Sequence, residues 1–323
     1  MIKKALWFAL LLPLSAGAAT SQVHEFMLDN GMKVLVKEDH RAPIAVSQVW
    51  YKVGASYEPR GLTGVSHVLE HMMFKGTENL GPNEFSQIIA ENGGKENAFT
   101  GRDYTAYFQT LAADRLQVAF ELEADRMENL SLDEKEFQKE RQVVIEERRM
   151  RTDDKPTALT YEQFNATAYR VLPYRNPVIG WRSDLENLEL EDLSEWYSRF
   201  YAPNNALLVV VGDVDPENIH KMARETFGKV KRRDVYNIKP ATEPEQRGVT
   251  RLQVKAPAKK PYLLMGYKTP TISSAEVEWE PYALEIAAAV LDGGDSARLS
   301  RSLIRGNRIA ASASAWYDST TRL

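Results

Sequence analysis

The 323-residue sequence contains no cysteine. That absence excludes disulfides, a thiolate metal site and a lipid-modified cysteine anchor, so any transition metal must be held by histidine and carboxylates. Histidine is itself scarce, with five in the chain: His24, His40, His67, His71 and His220. Charge of one sign is also lacking. The formal net charge is −4 with both signs spread along the chain, which leaves no basic stripe of the kind that binds nucleic acid. Long apolar runs are missing too, apart from Ala5 to Leu14. That run follows Lys3 and Lys4 and precedes Ala16-Gly17-Ala18, so residues 1–18 read as a signal peptide. The expectation is an exported protein with no stable membrane insertion after cleavage, periplasmic if the source is a Gram-negative bacterium and otherwise secreted.

What is present is a mixed α+β pattern. Asn30-Gly31, a pair suited to positive φ, separates strand-like segments His24–Leu28 and Lys33–Lys37, and a third strand is expected over Ile44–Val53. Helical periodicity follows over Val65–Phe74 and Asn83–Glu91, closed by Gly76 and by Gly93-Gly94. Strands are expected over Glu96–Gly101 and Tyr104–Leu111. Long helices are expected over Ala113–Asn129 and Asp133–Arg151, with shorter ones over Ala158–Tyr169 and Leu190–Phe200. The apolar run Ala206–Val211 reads as a buried strand and Pro216–Phe227 as a helix. Residues 229–248 are charged, contain two prolines and show no period, as an interdomain linker does.

Beyond the linker the order restarts, with strands expected over Leu252–Val254 and Tyr262–Tyr267 and a helix over Pro281–Leu291 before Gly293-Gly294. An offset of 217 residues lays Gly76 on Gly293 and places His67, Glu70 and His71 on Leu284, Ala287 and Ala288. The expected organisation is therefore a duplicated fold: residues 19–228 carry a polar site, and residues 249–323 begin a second, incomplete copy without one.

The chemistry concentrates in His67-Val-Leu-Glu70-His71. On a helix, positions i, i+3 and i+4 share a face, so two imidazoles can hold one zinc while the carboxylate between them reaches water at the open coordination position. This H-x-x-E-H order is the inverzincin signature. A hydrolytic zinc needs a third protein ligand. Candidates lie on the acidic helix, where Glu140 and Glu147 stand seven residues apart on one face and Glu146 points about 100° away from Glu147.

These segments together resemble the insulinase and pitrilysin family of zinc metallopeptidases, in its shorter processing-peptidase branch. The resemblance rests on His67 to His71 with Glu147 76 positions on, on Gly94-Lys95-Glu96-Asn97-Ala98-Phe99-Thr100 with Asp103-Tyr104-Thr105, on Leu172-Pro173-Tyr174 with Ile179-Gly180, and on Asp292-Gly293-Gly294 with Ser296-Ala297-Arg298-Leu299. It implies duplicated α/β-sandwich domains around a chamber for unfolded or short peptides. It also implies one Zn2+ held by His67, His71 and Glu147, with Glu70 as general base and Glu140 orienting a ligand. By the same resemblance Asn97, Ala98, Phe99 and Thr100 bind substrate as an added strand. Single-chain members carry an Arg and a Tyr seven apart in the second half, and in that register this chain has Ile304 and Ala311. The processing-peptidase branch divides metal site and Arg/Tyr pair between two subunits, so the expected assembly is a heterodimer with a homologous non-zinc subunit. The competing expectation is a zinc-stabilised peptide-binding or assembly protein that does not hydrolyse, against which the base at Glu70 argues.

Overall fold

A computed structural model describes residues 22–321, so the expected signal peptide lies outside the described residues. Six strands form one sheet in the order β1-β2-β6-β3-β5-β4. They span Val23–Met27, Lys33–Glu38, Ile44–Tyr51, Lys95–Thr100, Thr105–Ala112 and Ala206–Gly212 as β1 to β6. The Asn30-Gly31 turn forms as the sequence predicts, with Gly31 at φ 91° and a Leu28 N to Met32 O bond closing the β1-β2 hairpin. β6 enters the middle of the sheet, parallel to β2 and antiparallel to β3.

Alternation sets the layers. Val34 and Val36, Ala45, Val49 and Tyr51, Tyr107, and Leu208 and Val210 all bury on one sheet face. Against them pack α1 (Val65–Met72), α3 (Leu116–Glu128), α4 (Glu134–Arg148), α7 (Leu190–Phe200) and α8 (Pro216–Glu225), giving one α+β core. Between these lie α2 (Glu84–Glu91), α5 (Pro156–Ala168) and α6 (Arg182–Asn187).

Within α1, Val65, Val68, Leu69 and Met72 recur at i, i+3, i+4 and i+7 and are buried, which turns His67, Glu70 and His71 to the flank of that stripe. Gly64 supplies no capping side chain. Instead the Glu58 carboxylate accepts the N–H groups of Gly64 (2.8 Å) and Ser66 (2.9 Å), so the start of α1 is capped from outside the helix. The helix start is also pressed against the loop before α6. A Cβ on Gly180 would lie 2.5 Å from Thr63 O and 2.8 Å from the Gly64 Cα, and Gly180 has φ 90°, so only glycine fits there. α4 starts on Asp133, whose carboxylate accepts from Lys135 N and Glu136 N.

After Val230 the chain departs from expectation. Leu252–Val254 and Tyr262–Tyr267 are not strands: no ladder partner stands beside them among the described residues, and Leu263, Met265 and Tyr267 are 80, 67 and 83 % exposed. A strand pattern without a neighbour has no hydrogen bonds to form and no face to bury. The expected helix does form, as α9 (Glu280–Asp292), and carries Leu284, Ala287 and Ala288 where α1 carries its polar triad.

Candidate metal centre

Two antiparallel helices build the centre. His67 and His71 project from α1 one turn apart with their rings 5.0 Å centre to centre, and Glu147 reaches them from α4. The Nε2 atoms of His67 and His71 each lie 3.7 Å from a different oxygen of the Glu147 carboxylate. That is too long for hydrogen bonds, so the three side chains converge on a common point rather than bonding to one another. One ligand atom from each falls within 4.8 Å of the others. Two imidazoles, one carboxylate and a fourth position left open is a donor set of hydrolytic zinc, and these residues fit a single Zn2+.

The surroundings prepare each ligand. Burial, then the nearby His71 and Arg151, pushes His67 down to about 3, which keeps it neutral and its lone pair available. His67 Nδ1 is buried and has no hydrogen-bond partner among the described residues. His71 differs: its Nδ1 lies 2.9 Å from Glu140 Oε2, an arrangement in which Nδ1–H donates outward and Nε2, turned towards Glu147, would be free to hold a metal. The His71 bond, opposed by burial, holds the Glu140 carboxyl below its ordinary range. Its other oxygen meets Lys75 Nζ at 2.8 Å. Glu147 in turn is paired at 2.6 Å with Arg151, four residues on in the π-helical turn Arg149–Asp153 that follows α4. Glu146 faces away and pairs with Arg149 at the surface, as the helical angle predicts.

Glu70 stands beside the ligands. Burial raises its carboxyl above the ordinary value and so makes it a stronger base, while Thr100 Oγ1 donates to Oε2 and fixes its direction. Thr100 belongs to β4, the edge strand of the sheet, so the strand Asn97–Thr100 runs directly past the candidate base. On that strand the Asn97 side chain accepts from Ala98 N, and Phe99 packs edge-on against Trp50 and Tyr104. Sequence reasoning thus names His67, Glu70, His71, Glu140 and Glu147, and the fold brings all five together. It does not find Lys75, Arg151 or the Thr100 bond to Glu70. The spacing held a signal for the first two, since Lys75 stands four residues after His71 and Arg151 four after Glu147.

The chain is similar to known proteins over most of its length. The profile of Insulinase (Peptidase family M16) matches residues 33–181, and that of the Peptidase M16 inactive domain matches residues 187–323. Zinc protease PqqE of Helicobacter pylori is 36 % identical over 290 residues, covering 88 % of this chain and 64 % of that protein. The chain therefore spans just under two thirds of that relative's length. The crystal structure of a protease from Helicobacter pylori superposes with a TM-score of 0.80 at 32 % identity, over 93 % of this chain and 72 % of that one. Pitrilysin superposes with a TM-score of 0.63 at 26 % identity, over 70 % of this chain and 24 % of that one.

Proposed function

The chain belongs to the insulinase family, peptidase family M16, and from that premise we propose that it is a zinc-dependent endopeptidase acting on unfolded or short peptides. The observation that carries the proposal is the convergence of His67, His71 and Glu147 beside Glu70, a buried base directed by the edge strand. Zinc, when bound, supplies Lewis acidity that polarises a carbonyl and acidifies water.

The remaining work falls to the chain's own groups. β4 offers an extended edge on which a peptide pairs through its main chain, with little demand on sequence. Asn97 to Thr100 hold the peptide so that its scissile bond passes Glu70. The Glu70 carboxylate takes the proton of the attacking water and returns it to the leaving amine. Thr100 keeps one Glu70 oxygen occupied and leaves the other for the proton. Glu140 holds His71 in the tautomer that presents Nε2.

In the register that the family resemblance implies, Ile304 and Ala311 stand where its single-chain members carry an Arg and a Tyr, and this supports a metal-bearing subunit completed by a homologous partner that brings that pair. The Lys pair, apolar run and small residues of positions 1–18 support export. The test is zinc content and peptide hydrolysis of the wild type and Glu70→Gln, each alone and with a co-purifying homologous subunit. Zinc is expected to be retained and turnover lost in the variant, since a non-hydrolytic peptide binder has no use for a base beside the metal. Unchanged turnover in Glu70→Gln removes it as the base, and strong hydrolysis by the single subunit refutes the heterodimer.

A further inference from the structure

α1 and α4 meet as two antiparallel ladders. His67, His71 and Lys75 follow one another at intervals of four along α1 and the turn after it, and Glu147 and Glu140 stand two turns apart on α4. The rungs alternate: Glu147 faces both histidines, Glu140 bridges His71 and Lys75, and Lys75 ends the series. We propose that Lys75 is a positioning residue that holds Glu140 in register with His71 Nδ1 and thereby sets how tightly the chain retains its metal. The inference rests on the zinc reading above and adds to it a residue outside the ligand set.

Geometry supports the assignment. The Lys75 and Glu140 side chains are 16 and 13 % exposed, so their 2.8 Å contact is not a solvent-screened surface pair. Lys75 takes Glu140 Oε1 and His71 takes Oε2, so the two contacts together fix the carboxylate's rotation. A carboxylate bound at one oxygen only would turn freely about its terminal torsion and share its time among several acceptor directions. Charge points the same way. Glu70, Glu140 and Glu147 bring three carboxylates close to the histidine pair, and there Arg151 pairs with Glu147 and Lys75 with Glu140. Lys75 also lies just past the C-terminal end of α1, where the helix dipole favours a cation.

The experiment measures zinc affinity of the folded chain by competition with a chelator, with no substrate present, for wild type, Lys75→Met, Lys75→Arg, Glu140→Gln, His67→Ala and the double variant Lys75→Met/Glu140→Gln. Loss of a partner outside the ligand set weakens metal binding by about 10–100-fold, so Lys75→Met is expected in that range and Lys75→Arg within about threefold of wild type. Because Lys75 acts through Glu140, the double variant is expected within about twofold of Glu140→Gln alone. Wild-type affinity in Lys75→Met, or additive losses in the double variant, overturns the proposal. Should Lys75→Met fail to fold, Lys75→Gln carries the same test, with a loss of at least about fivefold expected. The two readings fail separately: zinc bound equally well by His67→Ala overturns the metal site itself, whereas zinc lost in His67→Ala but kept in Lys75→Met overturns only the role of Lys75.

Discussion

Behind the metal helix lies a fully buried ion pair, and removing its cation is expected to destabilise the fold more than a typical single substitution would. Arg126 and Glu123, one turn apart on α3, are both 0 % exposed. Arg126 Nε donates to Glu123 Oε2 at 2.8 Å, and a second bond joins Nη2 to Oε1. Burial opposes the guanidinium charge, yet Glu123 holds its pKa above the ordinary value. The guanidinium also stacks 4.3 Å from the ring centres of Phe85 and Tyr107 and 5.1 Å from that of Phe74, the second residue after α1. Arg126→Met strands the Glu123 carboxylate with Gln109 Nε2 as its remaining side-chain donor. Breaking a buried pair this way costs about 3–5 kcal/mol. With an m-value of about 3 kcal/mol/M, the urea midpoint is expected to fall by about 1–1.7 M. Replacing both partners removes the stranded charge, so Arg126→Met/Glu123→Leu is expected to recover most of the loss. Equilibrium urea unfolding of the three proteins checks this. A double variant as unstable as Arg126→Met alone would show that lost packing, not an uncompensated charge, is the cause.

Two further outcomes follow from single contacts. Thr100→Val removes the donor that directs Glu70 and leaves the strand backbone intact, so kcat is expected to fall about tenfold to a hundredfold with KM nearly unchanged; a raised KM with kcat unchanged would show that the Thr100 hydroxyl serves peptide binding and does not direct Glu70. Glu243 accepts from the backbone N–H groups of Arg170, Val171 and Leu172 and from Lys268, and although burial opposes its charge these bonds hold its carboxyl at about 2 against an ordinary 4.5. A lowered carboxylate contributes its full stability above the unfolded value, so that contribution is lost as pH falls from about 4.5 through about 2. Amide-exchange protection at Leu172 is expected to drop across that window in the wild type and to be low and flat in Glu243→Gln, and identical profiles would show that the Glu243 carboxylate does not hold the 170–172 backbone.

Local rules carry far in residues 22–228 because each element there has a strong signal of its own. Asn30-Gly31 dictates a hairpin, Val65 to Met72 a helical stripe, and Asp133 a helix start. The rules fail at Leu252–Val254 and Tyr262–Tyr267 for a physical reason. An alternating segment says which face a strand would bury, but a strand exists only when a neighbour supplies the other half of the ladder. α9 needed no neighbour for its hydrogen bonds and so formed as expected, although Tyr282 and Ile286 on it remain 54 and 65 % exposed.

The metal centre was legible to the extent that it is local. His67, Glu70 and His71 come from one turn of helix, and two turns of α4 limit the third ligand to two candidates on one face, between which helical geometry alone does not choose. Side chains that act across space left a fainter trace. Nothing in the sequence singles out Arg126, and only the fold reveals that it sits buried against Phe74, just past the metal helix. The spacing of Lys75 from His71 acquires a meaning only when Glu140 is seen beside it. Both cations bear on the residues that follow α1, since Arg126 packs against Phe74 and Lys75 pairs with Glu140 of α4. Metal affinity should therefore respond to Arg126→Met as well as to Lys75→Met, but by different routes. Loss of Arg126 loosens α1 as a body and would disturb both histidines together, whereas loss of Lys75 would act on His71 through Glu140 and leave His67 where it is.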